Sequence, residues 1–260
     1  MKQISSSKRP DISIVMAAFN EENNLMKAYN ELEDSLNKLK LTYEIVLIND
    51  GSTDDTKKIC KQISITKKNI RFINNSKNLG LGRSFNNSIS LLKGKSTTLF
   101  PSDGENNSFE VLRFLKLMDD VDLIIPFYVN KYKRSLSRKI ISLIYKNIIN
   151  LSFGLSLNYT NSACIYNTDV LKKLNLKTSG FFFQTELIIK AIKSGYLYAE
   201  VPSFINKRSS GSSSAFSLKN LSDILISYFS LLLVCYFKNN KFRIIKSSES
   251  VKRWKKYKNQ

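Results

Sequence analysis

The chain has 260 residues, 42% of them apolar, so it is large enough to bury the core of one large domain or two small ones. Its formal net charge of +20 favours an anionic partner such as a nucleotide diphosphate, a lipid headgroup or a nucleic acid. Histidine is absent, which excludes Ser-His-Asp triads, Cys-His pairs and His-ligated zinc.

The three cysteines, Cys60, Cys164 and Cys235, lie far apart and form no CxxC pair. They are typical of small buried apolar residues in a reducing compartment. Residues 1–9 are polar and lack the apolar core of a signal peptide, which predicts a cytoplasmic location. We therefore expect the chemistry to depend on carboxylates, cations, hydroxyls or a bound metal.

The first part of the chain repeats one pattern, an apolar strand followed by a polar turn and a helix. Residues 12–18 form the first predicted strand, and residues 25–39 have apolar side chains at helical spacing. Residues 43–48 form the second strand, and an acidic turn leads from it into a helix that ends near residue 63. Both turns carry Asn, Asp or Glu, which cap and charge the start of a helix.

Two further units of the same kind follow. A third strand at 70–73 leads through a glycine-containing turn into a helix that ends near residue 92, and a fourth strand at 96–100 leads to Asp103. Strands that alternate with helices predict a parallel, doubly wound sheet. Right-handed crossovers place the four polar loops at one edge of that sheet, where such sheets bind their ligands.

The loops carry the sequences AAFNE at 17–21, INDGSTD at 48–54, NLGLG at 78–82 and PSD at 101–103. In this order and spacing they resemble the signature of family 2 glycosyltransferases with the GT-A fold. Later segments resemble the branch that includes dolichol-phosphate mannose synthase and polyprenyl-phosphate sugar transferases. The resemblance covers residues 10–215 and implies an α/β fold with a Rossmann-like, mostly parallel sheet flanked by helices. Residues 216–260 would then be a C-terminal apolar helix and a basic tail.

The resemblance implies a donor site for a nucleotide-diphosphate sugar, formed by Ala17, Phe19, Glu21, Asp50, Gly51, Gly80, Gly82, Arg83 and Ser102. In the family the first loop packs against the base and ribose, and the Asp at position 50 accepts a hydrogen bond from the base. Gly51 would let the backbone turn close to the ligand. Amides at Gly80 and Gly82 would approach the nucleotide, and Arg83 would face phosphate. Without the resemblance, these residues are typical of strand ends, a helix cap and turns.

A few positions in these loops depart from the family pattern. Ala17 stands where the family usually has Pro, Phe19 where it has Tyr, and Asn49 where it has Asp. The largest departure is Pro101, which occupies the place of the first Asp of the DxD motif.

Asp103 aligns with the last Asp of that motif and is a catalytic candidate. The resemblance implies that Asp103 and Glu105 bind Mg²⁺ or Mn²⁺, which holds the donor diphosphate and stabilises the leaving group. Because one carboxylate is missing, weaker metal binding is one alternative, and neutralisation of the diphosphate by Arg and Lys is another. On its residues alone, the stretch is a polar loop with a solvated Asp.

Cations follow the fifth predicted strand and continue into a predicted helix at 137–153. The resemblance makes Arg134 and Arg138 candidate phosphate contacts on the acceptor side. A later Ser-rich segment has the Arg, Gly and Ser pattern of the same branch, and there Arg208 and Ser209 are the candidates. Composition alone favours a solvated helix start for the first pair and a flexible linker for the second.

Glu186 lies in the first turn of a predicted helix, where the family has an acidic residue near the acceptor. For a hydroxyl acceptor, Glu186 is the candidate general base and hence a catalytic residue. A lipid phosphate brings an oxygen that is already nucleophilic, and Glu186 would then position groups instead. The structural alternative is a carboxylate that stabilises the helix dipole.

Residues 221–237 are strongly apolar and lie at the short limit for a membrane span. An interfacial helix or a helix that packs on the core fits this length better. The tail that follows carries cations and aromatic side chains at Lys252, Arg253, Trp254, Lys255, Lys256 and Tyr257. Such a tail is either solvated or in contact with an anionic membrane surface, and we expect a peripheral location at the inner face of the membrane.

The sequence therefore predicts an inverting glycosyltransferase, with hexosyl transfer from a nucleotide sugar to a membrane-associated acceptor such as polyprenyl phosphate. One alternative keeps the donor chemistry and uses a glycan or another hydroxyl acceptor. A second alternative is a catalytically degenerate nucleotide-sugar-binding protein. Specific binding of nucleic acid is not expected, because the chain lacks an RNP motif, a zinc motif and a basic-aromatic platform.

Overall fold

The computed structural model describes residues 9–130, 135–206, 218–236 and 248–258. These residues form a seven-stranded sheet with the order β3-β2-β1-β4-β6-β5-β7. The strands are β1 Ile12–Ala18, β2 Tyr43–Asn49, β3 Ile70–Asn74, β4 Ser96–Pro101, β5 Leu123–Tyr128, β6 Ile165–Asn167 and β7 Tyr198–Ser203. The first four strands confirm the strands predicted from the apolar runs.

The sheet is mostly parallel, as predicted. Strands β1 to β4 pair in parallel with one another, and β5 pairs in parallel with β7. The short strand β6 lies between the two groups and is antiparallel to both β4 and β5. Because two antiparallel pairings in succession restore the direction, β5 runs the same way as β4, and the carboxyl ends of all parallel strands lie at one edge.

The helices are α1 Leu25–Lys38, α2 Thr56–Ser64, α3 Leu81–Ser88, α4 Ser108–Leu112, α5 Leu136–Phe153, α6 Thr168–Leu171, α7 Phe183–Lys193, α8 Leu218–Tyr236 and α9 Glu249–Lys258. Short 3₁₀ turns follow α3 and α4. Helix α1 buries Leu25, Tyr29, Leu32 and Leu36, which recur every three or four residues and confirm the predicted helical face.

The sheet has a hydrophobic core on each face. Val15 and Ala17 of β1 point into one core, and Ile14 and Met16 point into the other. Helices α3 and α7 cover the first face, where the rings of Phe85 and Phe183 lie 5.5 Å apart; α1, α2 and α4 cover the second. Since both faces are covered, every residue of the central strand β1 is buried, and its exposure does not alternate along the strand.

A third apolar cluster joins α5, α7 and α8 on the outer side of the domain. The Phe153 and Tyr228 rings meet edge to face at 6.1 Å, and the Tyr228 hydroxyl lies 2.6 Å from the Ser152 hydroxyl. The Tyr236 hydroxyl donates to the Ser152 carbonyl at 2.7 Å. The apolar run predicted at 221–237 is therefore a helix that packs on the domain. Within the described ranges, no helix is long and apolar enough to cross a membrane.

The basic tail forms the short helix α9, which is anchored at the amino edge of the sheet. Asp122 precedes β5 and is 2% exposed, and its Oδ2 accepts hydrogen bonds from the Ser248 hydroxyl at 2.9 Å, from the Ser250 hydroxyl and from the Leu197 N–H. Val251 is buried beside them. The division into a domain at 10–215 and a C-terminal part at 216–260 stays a prediction, but both α8 and α9 contact the sheet domain.

We expect Asp122→Ala to release α9, because the change leaves two buried hydroxyls and one backbone N–H without their acceptor. The free energy of unfolding should fall by about 1–3 kcal/mol. Urea unfolding followed by circular dichroism measures this change, and limited proteolysis within α9 reports its release. Asp120→Ala is the matched control, because Asp120 is exposed two positions away, and it should shift stability by less than about 0.5 kcal/mol. Equal stability of the two variants would show that the anchor contributes nothing.

Candidate active site

A cleft of about 490 Å³ opens at the carboxyl edge of β1, β2 and β4. All four predicted loops contribute to its walls, together with residues 179–181 and Asp223 of α8. The predicted site residues that line it are Ala17, Phe19, Glu21, Asp50, Gly80, Ser102, Asp103 and Glu105. Gly51, Gly82, Arg83, Arg138 and Glu186 do not line it. Arg134, Arg208 and Ser209 lie outside the described residues.

The ends of β1 and β4 form the floor of the cleft. Ala17 and Ser102 are buried there, and the Ser102 hydroxyl donates to the Ala17 carbonyl at 3.1 Å. Phe19 follows β1 with 44% of its surface exposed, so its ring offers an apolar face to a flat ligand. The Glu21 carboxylate accepts from the Asn24 side chain at 2.7 Å. This wall is therefore held in place before any ligand enters.

Asp50 is 4% exposed and accepts hydrogen bonds from the loop that follows β3. Its Oδ1 accepts from the Asn75 side chain at 2.7 Å, from the Ser84 hydroxyl at 2.6 Å and from the Leu79 N–H at 3.1 Å. Its Oδ2 accepts from the Gly80 N–H at 2.9 Å. The carboxylate thus fixes the turn that opens α3 in addition to lining the cleft. Neither Asn75 nor Ser84 stood out in the sequence, because their role depends on a contact between distant segments.

Gly51 and Gly82 allow close packing between backbone segments. Gly51 has φ +75°, and a Cβ there would lie 2.3 Å from the carbonyl carbon of Lys77. At Gly82 a Cβ would lie 2.8 Å from the carbonyl oxygens of both Ser179 and Gly180. Both glycines therefore allow a close approach between segments of the chain, and their predicted contact with a ligand stays a prediction.

The predicted contacts of the Gly80 amide and of the Arg83 side chain with a nucleotide stay predictions, and the structure shows what surrounds each group. The Gly80 N–H donates to Asp50 and to Asn78, so it already has protein acceptors. Arg83 is exposed, and its backbone N–H donates to the Ser179 carbonyl at 3.1 Å. Arg83 is the third residue of α3, and its exposed side chain does not line the cleft.

Asp103, Gly104 and Glu105 form a tight turn after β4. Asp103 Oδ1 accepts from the Glu105 N–H at 3.1 Å, and Gly104 has φ +70°. The Glu105 carbonyl accepts from the Asn206 N–H at 2.9 Å, which ties the turn to the segment after β7. Arg138 of α5 lies 3.3 Å from the Glu105 carboxylate. The two predicted metal ligands are therefore neighbours on one anchored turn.

The cleft is acidic although the chain is strongly basic. Among the described residues, its lining includes the carboxylates Glu21, Asp50, Asp103, Glu105 and Asp223 and contains no Lys or Arg. A diphosphate would be repelled from such a cleft unless a cation entered with it. Asp223 was not predicted as a site residue. Its signal in the sequence is a lone carboxylate near the start of an apolar helix.

The donor set fits a hard divalent cation that binds together with a ligand. No group of three or more Asp, Glu, Cys or His side chains in the described ranges is close enough to hold a metal. Mg²⁺ is commonly held by one or two carboxylates, with water and substrate phosphates as the other ligands. Asp103 and Glu105 can supply those carboxylates.

A groove continues from the cleft toward α5. A cavity of about 150 Å³ shares Asp103 and Glu105 with the cleft and extends to Arg138 and Tyr159. A further cavity of about 220 Å³ shares Arg138 and Tyr159 with this 150 Å³ cavity. Its lining also includes Lys139, Ser142 and Lys146. Arg138 therefore lies where the acidic cleft meets a basic groove.

Glu186 is 3% exposed and lines a separate cavity between α7 and α8. Its carboxylate accepts from the N–H groups of Lys177 and Thr178 at 3.0 and 2.8 Å and forms an ion pair with Lys190. The structure thus does not bring Glu186 together with Asp50 and Asp103. A general base must reach the proton that it removes, and this geometry does not favour that role.

Two of the three cysteines are buried as predicted, whereas Cys235 of α8 is only half-buried. Cys60 and Cys164 are buried, and burial raises the pKa of both thiols to about 12. Neither is therefore a thiolate nucleophile at neutral pH.

The sequence pattern of the family described as glycosyl transferase family 2 matches residues 13–174. A dolichyl-phosphate beta-glucosyltransferase of Trichomonas vaginalis is 31% identical over 157 residues, which cover 54% of this chain and 48% of that protein. An uncharacterized protein of Methanocaldococcus jannaschii is 29% identical over 140 residues, which cover 52% of this chain and 58% of that protein. The chain thus spans about half the length of these curated relatives.

Glucosyl-3-phosphoglycerate synthase from Mycobacterium tuberculosis has the same fold. Its complex with uridine diphosphate superposes with a TM-score of 0.63 at 18% identity, covering 86% of this chain and 79% of that one. Its complex with Mn²⁺, uridine diphosphate and phosphoglyceric acid gives a TM-score of 0.59 at 17% identity, with 86% and 78% covered. At this identity the likeness establishes the fold, which is GT-A.

We expect Asp50→Asn to loosen the turn before α3, because an amide offers one acceptor oxygen and turns an N–H₂ group toward donors. Stability should fall by about 1–3 kcal/mol. Thermal unfolding measures this change. Asp55→Asn, at an exposed position in the next turn, is the control. A variant as stable as the control would contradict the structural role of Asp50.

Proposed function

Since the chain belongs to glycosyl transferase family 2, we propose that it transfers a sugar, with inversion, from a nucleotide-diphosphate sugar to the phosphate of a polyprenyl-type lipid. The observation that carries the proposal is the single cleft that the four predicted loops line, with Asp50 and Asp103 in its walls. The acceptor rests on two further features, the basic groove beside the cleft and the exposed apolar faces of α5 and α8.

In this proposal the nucleotide base packs against Phe19 and is read by Asp50. The Asp50 Oδ2 accepts a hydrogen bond from Gly80, while Oδ1 accepts three. A carboxylate oxygen has room for a second donor, so Oδ2 can still accept from a base N–H. Uridine diphosphate is the donor nucleotide that the complexes of the Mycobacterium tuberculosis enzyme support.

Asp103 and Glu105 would hold Mg²⁺ or Mn²⁺ beside the donor diphosphate. Complexes of the Mycobacterium tuberculosis enzyme contain Mn²⁺ or Mg²⁺ with uridine diphosphate, which supports divalent metal use. The chemistry that the bound metal supplies is stabilisation of the charge on the leaving diphosphate. Glu105 would exchange its contact with Arg138 for the metal, and Arg138 would then be available to an acceptor phosphate.

Transfer with inversion forms a bond between an acceptor oxygen and the anomeric carbon, while the bond from that carbon to the diphosphate breaks. A lipid phosphate supplies an anionic oxygen, so no side chain has to remove a proton. The position of Glu186 outside the cleft agrees with this acceptor. Arg138 lies at the junction of cleft and groove and has the planar fork that suits phosphate. Arg134, Arg208 and Ser209 stay candidates for the same phosphate.

Helix α5 supports a lipid acceptor because it leaves most of its apolar side chains in solvent. Its buried residues are Ile149 and Phe153. Its exposed apolar residues are Leu136, Ile140, Ile141, Leu143, Ile144, Ile148 and Leu151. Their spacing places them on one broad face without a charged side chain. An ordinary surface helix has polar residues on that face, so the arrangement is typical of a helix that lies in a membrane interface.

Helix α8 exposes a second apolar face, formed by Leu221, Leu225, Ile226, Phe229 and Leu233. It meets the face of α5 where Tyr236 donates to the Ser152 carbonyl, one turn from Ile148. Lys139 and Lys146 flank the α5 face within the basic groove. Apolar area flanked by cations is what an anionic membrane surface binds. We therefore place the protein, in this proposal, as a peripheral protein on the inner face of a membrane.

The donor chemistry is tested by nucleotide release from a panel of nucleotide sugars with Mn²⁺ or Mg²⁺. We expect release that chelation of the metal abolishes, and Asp103→Ala should lower kcat/KM by about 10²–10³-fold because it removes one of the two metal carboxylates. Asp34→Ala, on the exposed face of α1, is the control. Polyprenyl phosphate should raise release well above the matching polyprenol.

Three other outcomes would contradict parts of this proposal. Nucleotide binding without release from any sugar would identify a degenerate binding protein. Stimulation by polyprenol or by a glycan, but not by polyprenyl phosphate, would establish a hydroxyl acceptor. Unchanged activity of Asp103→Ala would remove Asp103 from the mechanism.

The membrane surface is tested by flotation with vesicles of phosphatidylcholine mixed with phosphatidylglycerol. We expect the double variant Ile140→Glu with Ile144→Glu to bind about tenfold more weakly or worse, because it removes apolar area from lipid and adds charges that anionic headgroups repel. Ile65→Glu is the control, since Ile65 is 84% exposed at the end of α2. If both proteins float equally, the face of α5 does not bind membrane.

A further inference from the structure

We infer that Glu186 and Lys190 act as a positioning pair that holds one wall of the donor cleft through the segment 175–181. The inference rests on the proposed function, because it takes the cleft to be the donor site. It assigns no contact between this pair and a substrate.

The polar contacts of the pair are directed to one another and to the segment before α7. Glu186 and Lys190 lie one turn apart and are 3% and 7% exposed. Glu186 Oε1 accepts from the Lys177 N–H and from the Lys190 ammonium, and Oε2 accepts from the Thr178 N–H. Lys190 also donates to the Asn175 carbonyl. The pair therefore anchors three backbone groups within residues 175–178.

This segment needs such an anchor because it has no regular secondary structure between α6 and α7. Backbone groups outside helices and strands must find other partners when they are buried. Burial of two charges costs desolvation free energy, and an apolar pair would pack as well. An apolar pair would, however, leave the N–H groups of Lys177 and Thr178 without acceptors. The charges of Glu186 and Lys190 are thus explained by the backbone groups that these side chains hold.

The segment continues directly into the cleft. Ser179, Gly180 and Phe181 line it, and the Ser179 carbonyl accepts from the Arg83 N–H at 3.1 Å. A Cβ at Gly82 would lie 2.8 Å from the Ser179 and Gly180 oxygens, so α3 and this segment are in tight contact. Asp50 also holds the start of α3, because its carboxylate accepts from the N–H of Gly80, the residue before that helix. A shift of residues 177–180 would therefore move the start of α3 and the cleft wall together.

The experiment compares Glu186→Gln with wild type by calorimetric titration of uridine diphosphate with Mn²⁺ and by steady-state kinetics. Gln keeps the shape of Glu but turns an N–H₂ group toward a backbone N–H. We expect the Kd for uridine diphosphate and the KM for the donor to rise about tenfold, as loss of one net hydrogen bond predicts, with a smaller change in kcat. Glu33→Gln is the matched control, because Glu33 of α1 forms an ion pair with Lys67 and does not line the cleft. This variant should leave both the Kd and the KM unchanged.

Gly82→Ala provides a second variant that leaves Glu186 in place. It should weaken uridine diphosphate binding in the same way, and the double variant should lose less than the sum of the two, because both changes disturb one contact. Additive losses would overturn the inference. So would a Glu186→Gln enzyme that binds uridine diphosphate normally and loses kcat with hydroxyl acceptors, since that result identifies a general base.

Amide hydrogen exchange separates this inference from the proposed function. We expect Glu186→Gln to speed exchange at residues 177–181 and at 79–83, with no ligand present. Faster exchange in both segments supports the coupling even if wild type binds no nucleotide, which would end the proposed function alone. Exchange that is faster only near Glu186, or unchanged, overturns the inference even if wild type transfers sugar.

Discussion

The hydrogen bonds that the Asp50 carboxylate accepts are the constraint on which the rest of the site depends. Asp50 follows the strand of the second unit, and its partners Asn75, Leu79, Gly80 and Ser84 belong to the third. One buried carboxylate thus joins the loop after β3 and the start of α3 to the carboxyl edge of β2. Because α3 packs in turn on residues 179–180, the position of one wall of the cleft follows from this set of bonds.

Charge is distributed so that the cleft and the surface around it have opposite signs. The chain has a formal net charge of +20, yet the described lining of the cleft is acidic. A cleft of this kind selects for an anion that arrives with a cation, which agrees with a nucleotide diphosphate and a divalent metal. The basic groove begins at Arg138, where it can receive a second anion without crowding the first. Residues of α5 line that groove, and the same helix exposes an apolar face. In the proposed function, donor chemistry and lipid contact would therefore occupy neighbouring parts of the fold.

Much of the fold followed from patterns that are local in the sequence. The strands β1 to β4 and helix α1 were predicted because apolar period and capping residues act within a few positions. The meeting of four loops at one edge followed from the handedness of crossovers, which holds for almost every parallel sheet. What local patterns could not predict is which group each loop residue faces. Gly82 and Arg83 are adjacent in a glycine-containing turn, yet one packs against Ser179 and the other points to solvent. Asp223 lies in an apolar helix and nevertheless reaches the cleft.

The sequence by itself determined the class of fold, the edge at which the site forms and the residue types available for chemistry, since all three depend on composition, periodicity and the order of elements. Only the tertiary structure decided that Glu186 lies outside the cleft, that Asp50 is largely satisfied by the chain, and that α5 leaves an apolar face in solvent. The physical reason is that a hydrogen bond or a buried surface is made between segments far apart in sequence. Its partner is therefore set by the packing of α3, α5, α7 and α8, and no single segment encodes it.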